Sequence, residues 1–209
     1  MKQITARLCH LFAVTLFIPP LALAQQSGSS IPTQTILDAI GAREGVTVCE
    51  VGAGDGELTI AAAKIAGPSG RVYTSELGDD RVKTLRAQVA KSGLAQITVV
   101  EGSTSGTNFP DAGCDALFMR NVYHHFADPA VMNKSIAAAL KPGGRAAVVD
   151  FTPPEKEAPV AADRSKDGMH GVMADTVSRE LKDAGLEVVS SEAGTRRWFM
   201  VVASKPNGR

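Results

Sequence analysis

A glycine-rich turn between a predicted strand and a predicted helix constrains this chain more than any other feature. Residues 48–59 read VCEVGAGDGELT and lead into a helical pattern that continues to Lys64. The alternate glycines at positions 52, 54 and 56 allow backbone angles that other residues disfavour, and they leave no Cβ between the turn and a bound molecule. Backbone N–H groups at the start of the helix face the same space. We therefore expect a ligand to lie directly on this turn.

The spacing of the glycines restricts the kind of ligand. A dinucleotide-binding turn has the pattern G-x-G-x-x-G, whereas this turn is G-x-G-x-G with Glu57 at the place of the third glycine. A carboxylate there would repel a pyrophosphate at the start of the helix, so a cofactor with net positive charge fits better. Together with the lack of a Tyr-x-x-x-Lys pair, Glu57 disfavours an NAD-dependent oxidoreductase. A strand-to-helix turn that needs glycine for its shape alone is the simpler alternative.

Residues 50–56, EVGAGDG, resemble the first motif of the class I S-adenosylmethionine-dependent methyltransferases, and LKPGG at 140–144 is similar to the segment before their fifth strand. The resemblance covers residues 32–205. It implies S-adenosylmethionine as cofactor, a small-molecule methyl acceptor, and a seven-stranded sheet whose last strand is antiparallel.

The order of the predicted elements indicates an α/β fold. Strand patterns alternate with helical patterns from residue 32 onward, which is typical of a doubly wound, mostly parallel sheet covered by helices on both faces. A helix capped by Asp128 and another capped by Asp175 and Thr176 are expected between strands. The fifth strand is predicted over 145–151, after a turn at 141–144 that ends the preceding helix.

The first 24 residues differ in composition from the rest. Lys2 and Arg7 precede an apolar run, and small residues end the segment at Ala24, which predicts a cleaved signal peptide and no stable membrane anchor after cleavage. Residues 25–31 form a predicted linker and residues 32–209 a single domain. Export is at odds with a cofactor made in the cytosol, so a cytoplasmic location is the alternative. Lys+Arg and Asp+Glu both number 22, which gives no basic excess for nucleic acid.

The resemblance assigns roles to strand ends and to the turns after them. Glu76, at the end of the second strand, would hold the ribose hydroxyls. Ser103 stands where the family often has an aspartate for the adenine amino group, and Asn121 follows the fourth strand. The expected cofactor-binding residues are Glu50, Gly52, Ala53, Gly54, Gly56, Glu76, Ser103 and Asn121.

Tyr123, His124 and His170 are the candidate catalytic residues. Tyr123 and His124 follow the fourth strand, in the family segment that borders the methyl group, and His170 follows a long polar connection. An imidazole that titrates near neutral pH suits a base that frees an oxygen or nitrogen nucleophile. A packing or capping role for each histidine is the alternative. The adjacent histidines at 124 and 125 together with His170 could form a metal site, but no second ligand spacing supports it, so none is expected.

Two cysteines remain after the predicted cleavage. Cys49 and Cys114 are expected to be unpaired core residues, since two cysteines in strand patterns are no disulfide framework. An exported, non-enzymatic protein that binds a small ligand is the second hypothesis for function. Ser103 and the predicted signal peptide favour this binding protein, whereas the intact glycine motif and Glu76 favour the enzyme.

Overall fold

The computed structural model describes residues 31–208. The predicted signal peptide and residues 25–30 of the predicted linker lie outside the described residues. Helices and strands alternate along most of the described chain. In order they are α1 (Thr33–Ala39), β1 (Thr47–Val51), α2 (Glu57–Ala66), β2 (Arg71–Glu76), α3 (Asp79–Ser92), β3 (Ile97–Glu101), β4 (Cys114–Arg120), α4 (Pro129–Ala139), β5 (Leu140–Phe151), α5 (Ala174–Asp183), β6 (Glu187–Ala193) and β7 (Trp198–Ser204).

The strands of the described residues form one seven-stranded sheet in the order β3-β2-β1-β4-β5-β7-β6. Strands β1 to β5 pair in parallel, whereas β7 is antiparallel to both β5 and β6. This confirms the predicted doubly wound α/β fold with an antiparallel last strand. Trp198 pairs with Phe151, so the start of β7 lies beside the end of β5.

Helices cover both faces of the sheet, and β4 shows how one strand serves both cores. Successive side chains of a strand point to opposite faces. Ala116 and Phe118 pack with residues of α1 and α2, while Leu117 and Met119 pack with residues of α4 and α5. Because both faces are buried, β4 is a nearly continuous apolar run rather than an alternating one.

The two predicted helix caps have different outcomes. The Asp128 side chain accepts a hydrogen bond from the Val131 N–H at 3.1 Å, which confirms the cap of α4. The cap predicted at Asp175 and Thr176 is wrong, because α5 already begins at Ala174. Its acceptor comes from the long connection instead: the Glu157 carboxylate accepts from the Met173 N–H at 2.9 Å and from the Thr176 hydroxyl at 2.8 Å.

The turn at LKPGG is part of the fifth strand rather than a separate loop. Helix α4 ends at Ala139, and β5 begins at Leu140, five residues before the predicted start at Arg145. Leu140 pairs with Cys114, and the pairing then shifts before Arg145 meets Ala116. The irregular pairing includes residues 140–144 in the strand, with a left-handed turn at Gly143 (φ +75°), which the sequence pattern of a helix stop does not show.

Cys49 and Cys114 form a disulfide bond, so the prediction that they are unpaired is wrong. Their Cα atoms lie 5.9 Å apart, and both residues are fully buried. Strands β1 and β4 are neighbours, with Val48 opposite Ala116. That adjacency brings together two cysteines 65 positions apart, and it depends on the strand order, which the spacing of the cysteines does not reveal.

None of the helices in the described part of the chain combines the length and the apolar character needed to cross a membrane.

Candidate functional site

A cavity lies at the carboxyl ends of the parallel strands, beside the switch point between β1 and β4, where open α/β sheets bind ligands. Its volume is about 670 Å³, within the range of small-molecule sites. The loops after β1, β2, β3 and β4 form most of its wall, and Trp198 at the start of β7 closes one side.

The glycine turn is built from three left-handed residues that differ in their surroundings. The φ angles of Gly52, Gly54 and Gly56 are +71°, +58° and +82°. A Cβ at Gly52 would lie 2.5 Å from Val122 Cγ2, and one at Gly56 would lie 2.9 Å from Leu85 Cδ1. A Cβ at Gly54 would meet nothing within 4 Å, because this residue borders the cavity. Gly54 therefore leaves room for a ligand, whereas Gly52 and Gly56 leave room for neighbouring side chains.

Of the glycine-turn residues expected to bind the cofactor, Gly52, Ala53 and Gly54 line the cavity, whereas Gly56 does not. Gly56 occupies the N-cap position of α2, where its left-handed backbone turns the chain into the helix. The structure thus gives Gly56 a part in shaping the site rather than in lining it.

The Glu76 carboxylate already bonds to the glycine turn. Glu76 is 7% exposed, and its Oε2 accepts a hydrogen bond from the Gly54 N–H at 2.6 Å. Its Oε1 accepts from the Leu77 N–H at 2.8 Å and lies 3.9 Å from the Arg81 guanidinium. A carboxylate with acceptor sites facing a cavity can hold the two hydroxyls of a ribose, so the geometry fits the predicted role.

Glu50 is a second carboxyl group in the cavity wall, and it is more deeply buried than Glu76. Burial raises the pKa of Glu50 from 4.5 to about 8, despite the hydrogen bond that the Thr59 hydroxyl donates to it. Thr59 in turn contacts the Thr74 hydroxyl at 2.9 Å. At neutral pH without a ligand the carboxyl group is therefore mostly protonated. A positively charged ligand beside it would favour the ionised form.

Ser103 and Asn121 both line the cavity. The Ser103 hydroxyl donates to the Gly106 carbonyl at 3.1 Å and accepts from the Ser105 N–H at 3.3 Å, so part of its capacity for hydrogen bonds is used within its own turn. Asn121 has a φ of +61°, and its backbone N–H donates to the Val149 carbonyl at 2.8 Å. This left-handed residue redirects the chain as it leaves β4.

A 3-10 turn at Tyr123–His125 sends three adjacent side chains in different directions. Successive residues of such a turn are rotated by about 120°. Tyr123 is buried, donates its hydroxyl to Glu180 at 2.8 Å and accepts from Asn133 at 2.7 Å. Burial, together with the Glu180 charge, raises the pKa of Tyr123 above its usual range. The structure therefore places Tyr123 in a structural network away from the cavity lining.

His124 also lies inside the protein, against the end of β5. Its Nδ1 is 2.9 Å from Asp150 Oδ1, and its backbone N–H donates to Asp150 Oδ2 at 3.1 Å. Asp150 is fully buried and was not singled out from the sequence, where it reads as one residue of a strand. The other ring nitrogen of His124, Nε2, lies 3.0 Å from Nε2 of His170. His170 is thus brought to His124, and it is the more exposed of the two.

His125 lines the cavity, although it was not among the residues predicted to be catalytic. Its Nδ1 lies 2.8 Å from the Ser165 hydroxyl. Burial lowers the pKa of His125 and that of His170, and the neighbouring His124 lowers both further. Both rings are therefore neutral at neutral pH. The adjacency of His125 to His124 was visible in the sequence, but the direction of each ring depends on the 3-10 turn.

A buried ion pair holds the long connection before α5 next to these histidines. The Arg164 guanidinium bonds to both oxygens of Glu180, at 2.6 Å and 3.2 Å, and Arg164 is 4% exposed. Glu180 is also the acceptor for Tyr123. One carboxylate thus joins α5, the connection and the 3-10 turn, and fixes the segment that contains Ser165 and His170.

Residues 49–148 match the model of a protein family described as a methyltransferase domain. The matched segment is similar to a methyltransferase domain over just under half of the chain. It runs from β1 into β5 and includes the glycine turn, Glu76, Ser103 and the 3-10 turn. It covers a shorter stretch than the resemblance over residues 32–205 that the sequence suggested, and it contains most of the residues that line the cavity.

Curated relatives of this chain include enzymes named ubiquinone/menaquinone biosynthesis C-methyltransferase UbiE. The relative from Marinomonas sp. is 29% identical over 118 residues, which cover 56% of this chain and 47% of the relative. The one from Shewanella pealeana is 30% identical over 126 residues, which cover 58% of this chain and 49% of the relative. The chain thus spans about half the length of the curated relatives it matches.

Solved structures similar to this chain are methyltransferase folds. A S-adenosylmethionine-dependent methyltransferase from Aquifex aeolicus superposes with a TM-score of 0.71 at 24% identity, covering 82% of this chain and 88% of its own. Phosphoethanolamine N-methyltransferase 2 from Haemonchus contortus, solved with S-adenosylmethionine, has a TM-score of 0.69 at 15% identity, covering 84% of this chain and 52% of its own. The [4+2]-cyclase SpnF has a TM-score of 0.74 at 18% identity, covering 84% of this chain and 81% of its own. The family match and these structures indicate S-adenosylmethionine as the cofactor of the methyltransferase domain.

Proposed function

We propose that this protein transfers the methyl group of S-adenosylmethionine to a small-molecule acceptor. The observation that carries the proposal is the open face of Gly54 beside the Glu76 carboxylate, in a cavity of about 670 Å³. Backbone without a Cβ and a nearly buried carboxylate are what a nucleoside with an amino acid tail requires of its site.

Different residues of the cavity would contact different parts of the cofactor. Glu76 would accept hydrogen bonds from the ribose, and the backbone from Gly52 to Gly54 would lie against the amino acid end. Glu50 would face positive charge, which the cofactor supplies as a sulfonium and an ammonium group. The cofactor, when bound, provides a methyl group already activated for displacement. The protein then needs mainly to align an acceptor with that group, and alignment alone can account for a large part of the rate.

The part of the cavity that would hold the acceptor combines apolar side chains with one imidazole. Phe126, Met132 and Trp198 contribute apolar surface, and His125 contributes a ring nitrogen. Such a wall suits an acceptor with an apolar body and a polar reacting group. The relatives named as C-methyltransferases of ubiquinone and menaquinone biosynthesis support an acceptor of this kind.

Calorimetric titration of the purified chain with S-adenosylmethionine and with S-adenosylhomocysteine tests the proposal. We expect micromolar binding of both, about −8 kcal/mol. Glu76→Ala should weaken binding by about 1–3 kcal/mol, because charge-assisted hydrogen bonds to the ribose are lost. Glu101→Ala is the matched control: Glu101 ends the neighbouring strand opposite Glu76, but it is exposed and outside the cavity lining. Equal affinities for the two variants would remove Glu76 from the site.

A non-enzymatic protein that binds a small ligand is the second candidate function. Ser103 favours it, because a neutral hydroxyl already engaged with Gly106 makes a weaker contact to an adenine than a carboxylate would. The similarity to a cyclase also illustrates that this fold supports other chemistry. Absence of binding to both compounds at millimolar concentration would favour this candidate.

We also propose that the chain is exported, with residues 1–24 as the signal peptide. The Cys49–Cys114 disulfide supports this location, because disulfides persist mainly in oxidising compartments. Fusion of residues 1–31 to a phosphatase that is active only outside the cytosol tests it. We expect activity from this fusion and none from a fusion that starts at residue 32. Equal inactivity of both fusions would favour a cytoplasmic protein.

A further inference from the structure

Two adjacent histidines and a third that is distant in sequence meet at the rim of the cavity. We call His124, His125 and His170 the histidine cluster. Each ring offers one nitrogen such that the three atoms lie within 4.8 Å of one another. Nε2 of His124 and Nε2 of His170 are 3.0 Å apart, although the two residues are 46 positions apart in the chain. The strand ends and the long connection, rather than a local spacing, create this arrangement.

Hydrogen bonds on the far side of two rings determine which nitrogens are available. A buried ionised carboxylate only accepts, so Asp150 requires the proton of His124 on Nδ1 and leaves Nε2 with a lone pair. The Ser165 hydroxyl donates its single proton in a hydrogen bond to the His124 carbonyl at 3.4 Å. It can therefore only accept the hydrogen bond from His125 Nδ1, at 2.8 Å. His125 therefore also presents Nε2 with a lone pair.

The short distance between His124 Nε2 and His170 Nε2 needs something positive between the two nitrogens. Two lone pairs at 3.0 Å repel each other unless a proton or a cation lies between them. A proton on His170 Nε2 satisfies the pair alone. It does not engage His125, which also offers a ring nitrogen within 4.8 Å of the other two. A metal ion would engage all three nitrogens.

We propose that His124, His125 and His170 bind one divalent transition-metal ion, with Zn²⁺ as the first candidate. Imidazole nitrogens are ligands that zinc, copper, iron and nickel accept. Nitrogens bound to one zinc ion at about 2.0–2.1 Å lie about 2.9–3.4 Å from each other, and the His124–His170 distance already falls in this range. His125 and His170 are exposed, so their rings can adjust to complete the set.

The surroundings of the histidine cluster match those of known metal ligands. A histidine that binds a metal commonly donates its other N–H to a carboxylate or another oxygen, which fixes its ring. Asp150 does this for His124, and Ser165 does it for His125. Phe151 packs edge-on against His170 with ring centroids 5.2 Å apart and restricts that ring from the other side. These contacts would orient the rings, and small rotations of the two exposed rings would complete the coordination.

The proposed ion would have a coordination position left for another molecule. Three histidines with one open position are the ligand set of catalytic rather than structural zinc sites. His125 belongs to the cavity lining, so this position would lie at the rim of the cavity. It would take water, or an oxygen, nitrogen or sulfur atom of a ligand in the cavity. The metal site does not depend on methyl transfer and can be tested without a methyl acceptor.

Zinc titration of the purified chain, without a polyhistidine tag and in competition with a colorimetric chelator, tests the proposal. We expect one Zn²⁺ per chain. His170→Ala and His125→Ala, which alter exposed side chains, should each weaken binding by more than about 100-fold, since even an outer hydrogen-bond partner is worth 10–100-fold. Ser165→Ala should weaken it by about 10-fold. Lys166→Ala, at an exposed neighbouring position, is the control and should leave the affinity unchanged.

Cobalt binding gives an independent readout, because the visible absorption of Co²⁺ reports the number and kind of its ligands. An absorption band of a four-coordinate ion that disappears in His170→Ala supports the histidine cluster as the site. The proposal is overturned if the chain takes up no stoichiometric zinc, or if His170→Ala and Ser165→Ala bind zinc as tightly as Lys166→Ala. In either case the cluster is a hydrogen-bonded chain from His170 through His124 to Asp150.

Discussion

At the scale of single residues, two glutamates in the same cavity have different environments. Glu76 accepts hydrogen bonds from two backbone N–H groups and lies near Arg81. Glu50 has one hydroxyl donor and a buried position that favours the protonated form. The charge of Glu50 therefore depends on pH and on the ligand.

Glu50 should make the stability of the protein depend on pH. Its pKa is about 8 in the folded state and 4.5 as an ordinary exposed group. Between these values the folded protein keeps a proton that the unfolded chain loses, so the free energy of unfolding should fall as pH rises from about 5 to about 8. Urea unfolding at several pH values measures this, and the decrease contributed by Glu50 should be missing from the curve of Glu50→Gln.

The comparison with Glu50→Gln separates this effect from that of the histidines. The lowered pKa values of His125 and His170 act in the opposite direction, since these groups bind fewer protons when folded. They remain in the variant, so the difference between the two proteins isolates Glu50. An identical pH dependence for both would mean that Glu50 is ionised in the folded protein.

The sequence allowed us to predict which residues at strand ends face the cavity, whereas the directions of the side chains after the fourth strand could not be predicted. Glu50 and Glu76 belong to strands whose direction fixes where their side chains emerge, and both line the cavity. The directions of Tyr123, His124 and His125 depend on one 3-10 turn and on the partners Glu180, Asp150 and Ser165. Those partners come from later segments, and the sequence around the histidines does not name them.

At the scale of elements, the glycines of the turn between β1 and α2 have different roles, two in packing and one in leaving space for a ligand. Gly52 and Gly56 are close to side chains, and Gly54 is not. A substitution at Gly54 therefore tests the ligand space with little disturbance of the fold.

Gly54→Ala should abolish most cofactor binding at a small cost in stability. The new Cβ would project into the cavity, and a left-handed alanine costs about 1–2 kcal/mol. Gly93→Ala is a matched control, because Gly93 has a φ of +69°, open surroundings and a position at the end of α3 outside the cavity lining. Unfolding curves should shift equally for both variants, while calorimetry should show at least about tenfold weaker binding only for Gly54→Ala. Equal binding by both would place the ligand elsewhere.

The elements themselves followed from local signals in most places. The apolar runs and the Asp128 cap predicted β4 and α4 because those signals lie within the elements. The start of α5 was misplaced because its acceptor, Glu157, lies on the preceding connection. The start of β5 was misplaced because pairing with Cys114 extends it through a turn.

At the scale of the whole molecule, the disulfide connects two central strands and should raise global stability. It closes a loop of 65 residues, for which loop entropy gives about 4 kcal/mol and typical measurements about 2–4 kcal/mol. Urea unfolding with and without a reductant should show a loss of that size. A variant with both Cys49→Ala and Cys114→Ala should be indifferent to the reductant. If reduction leaves the wild-type curve unchanged, the two thiols are not joined.

The overall architecture was more predictable than its cross-links. Alternating patterns indicated a doubly wound sheet, and the resemblance supplied its number of strands and its antiparallel strand. The disulfide and the histidine cluster join residues across strands and loops, so each depends on the three-dimensional order of elements.

The reversed direction of β7 has a consequence for how such a protein can diversify. Because β7 runs against the other strands, its first residue, Trp198, stands at the edge where they finish. The hairpin before it, residues 194–197, lies outside the five parallel strands, and hydrogen bonds between Arg197 and Thr152 join it to the chain after β5. Selection for a new acceptor can thus act on this hairpin while the cofactor half of the molecule is inherited intact.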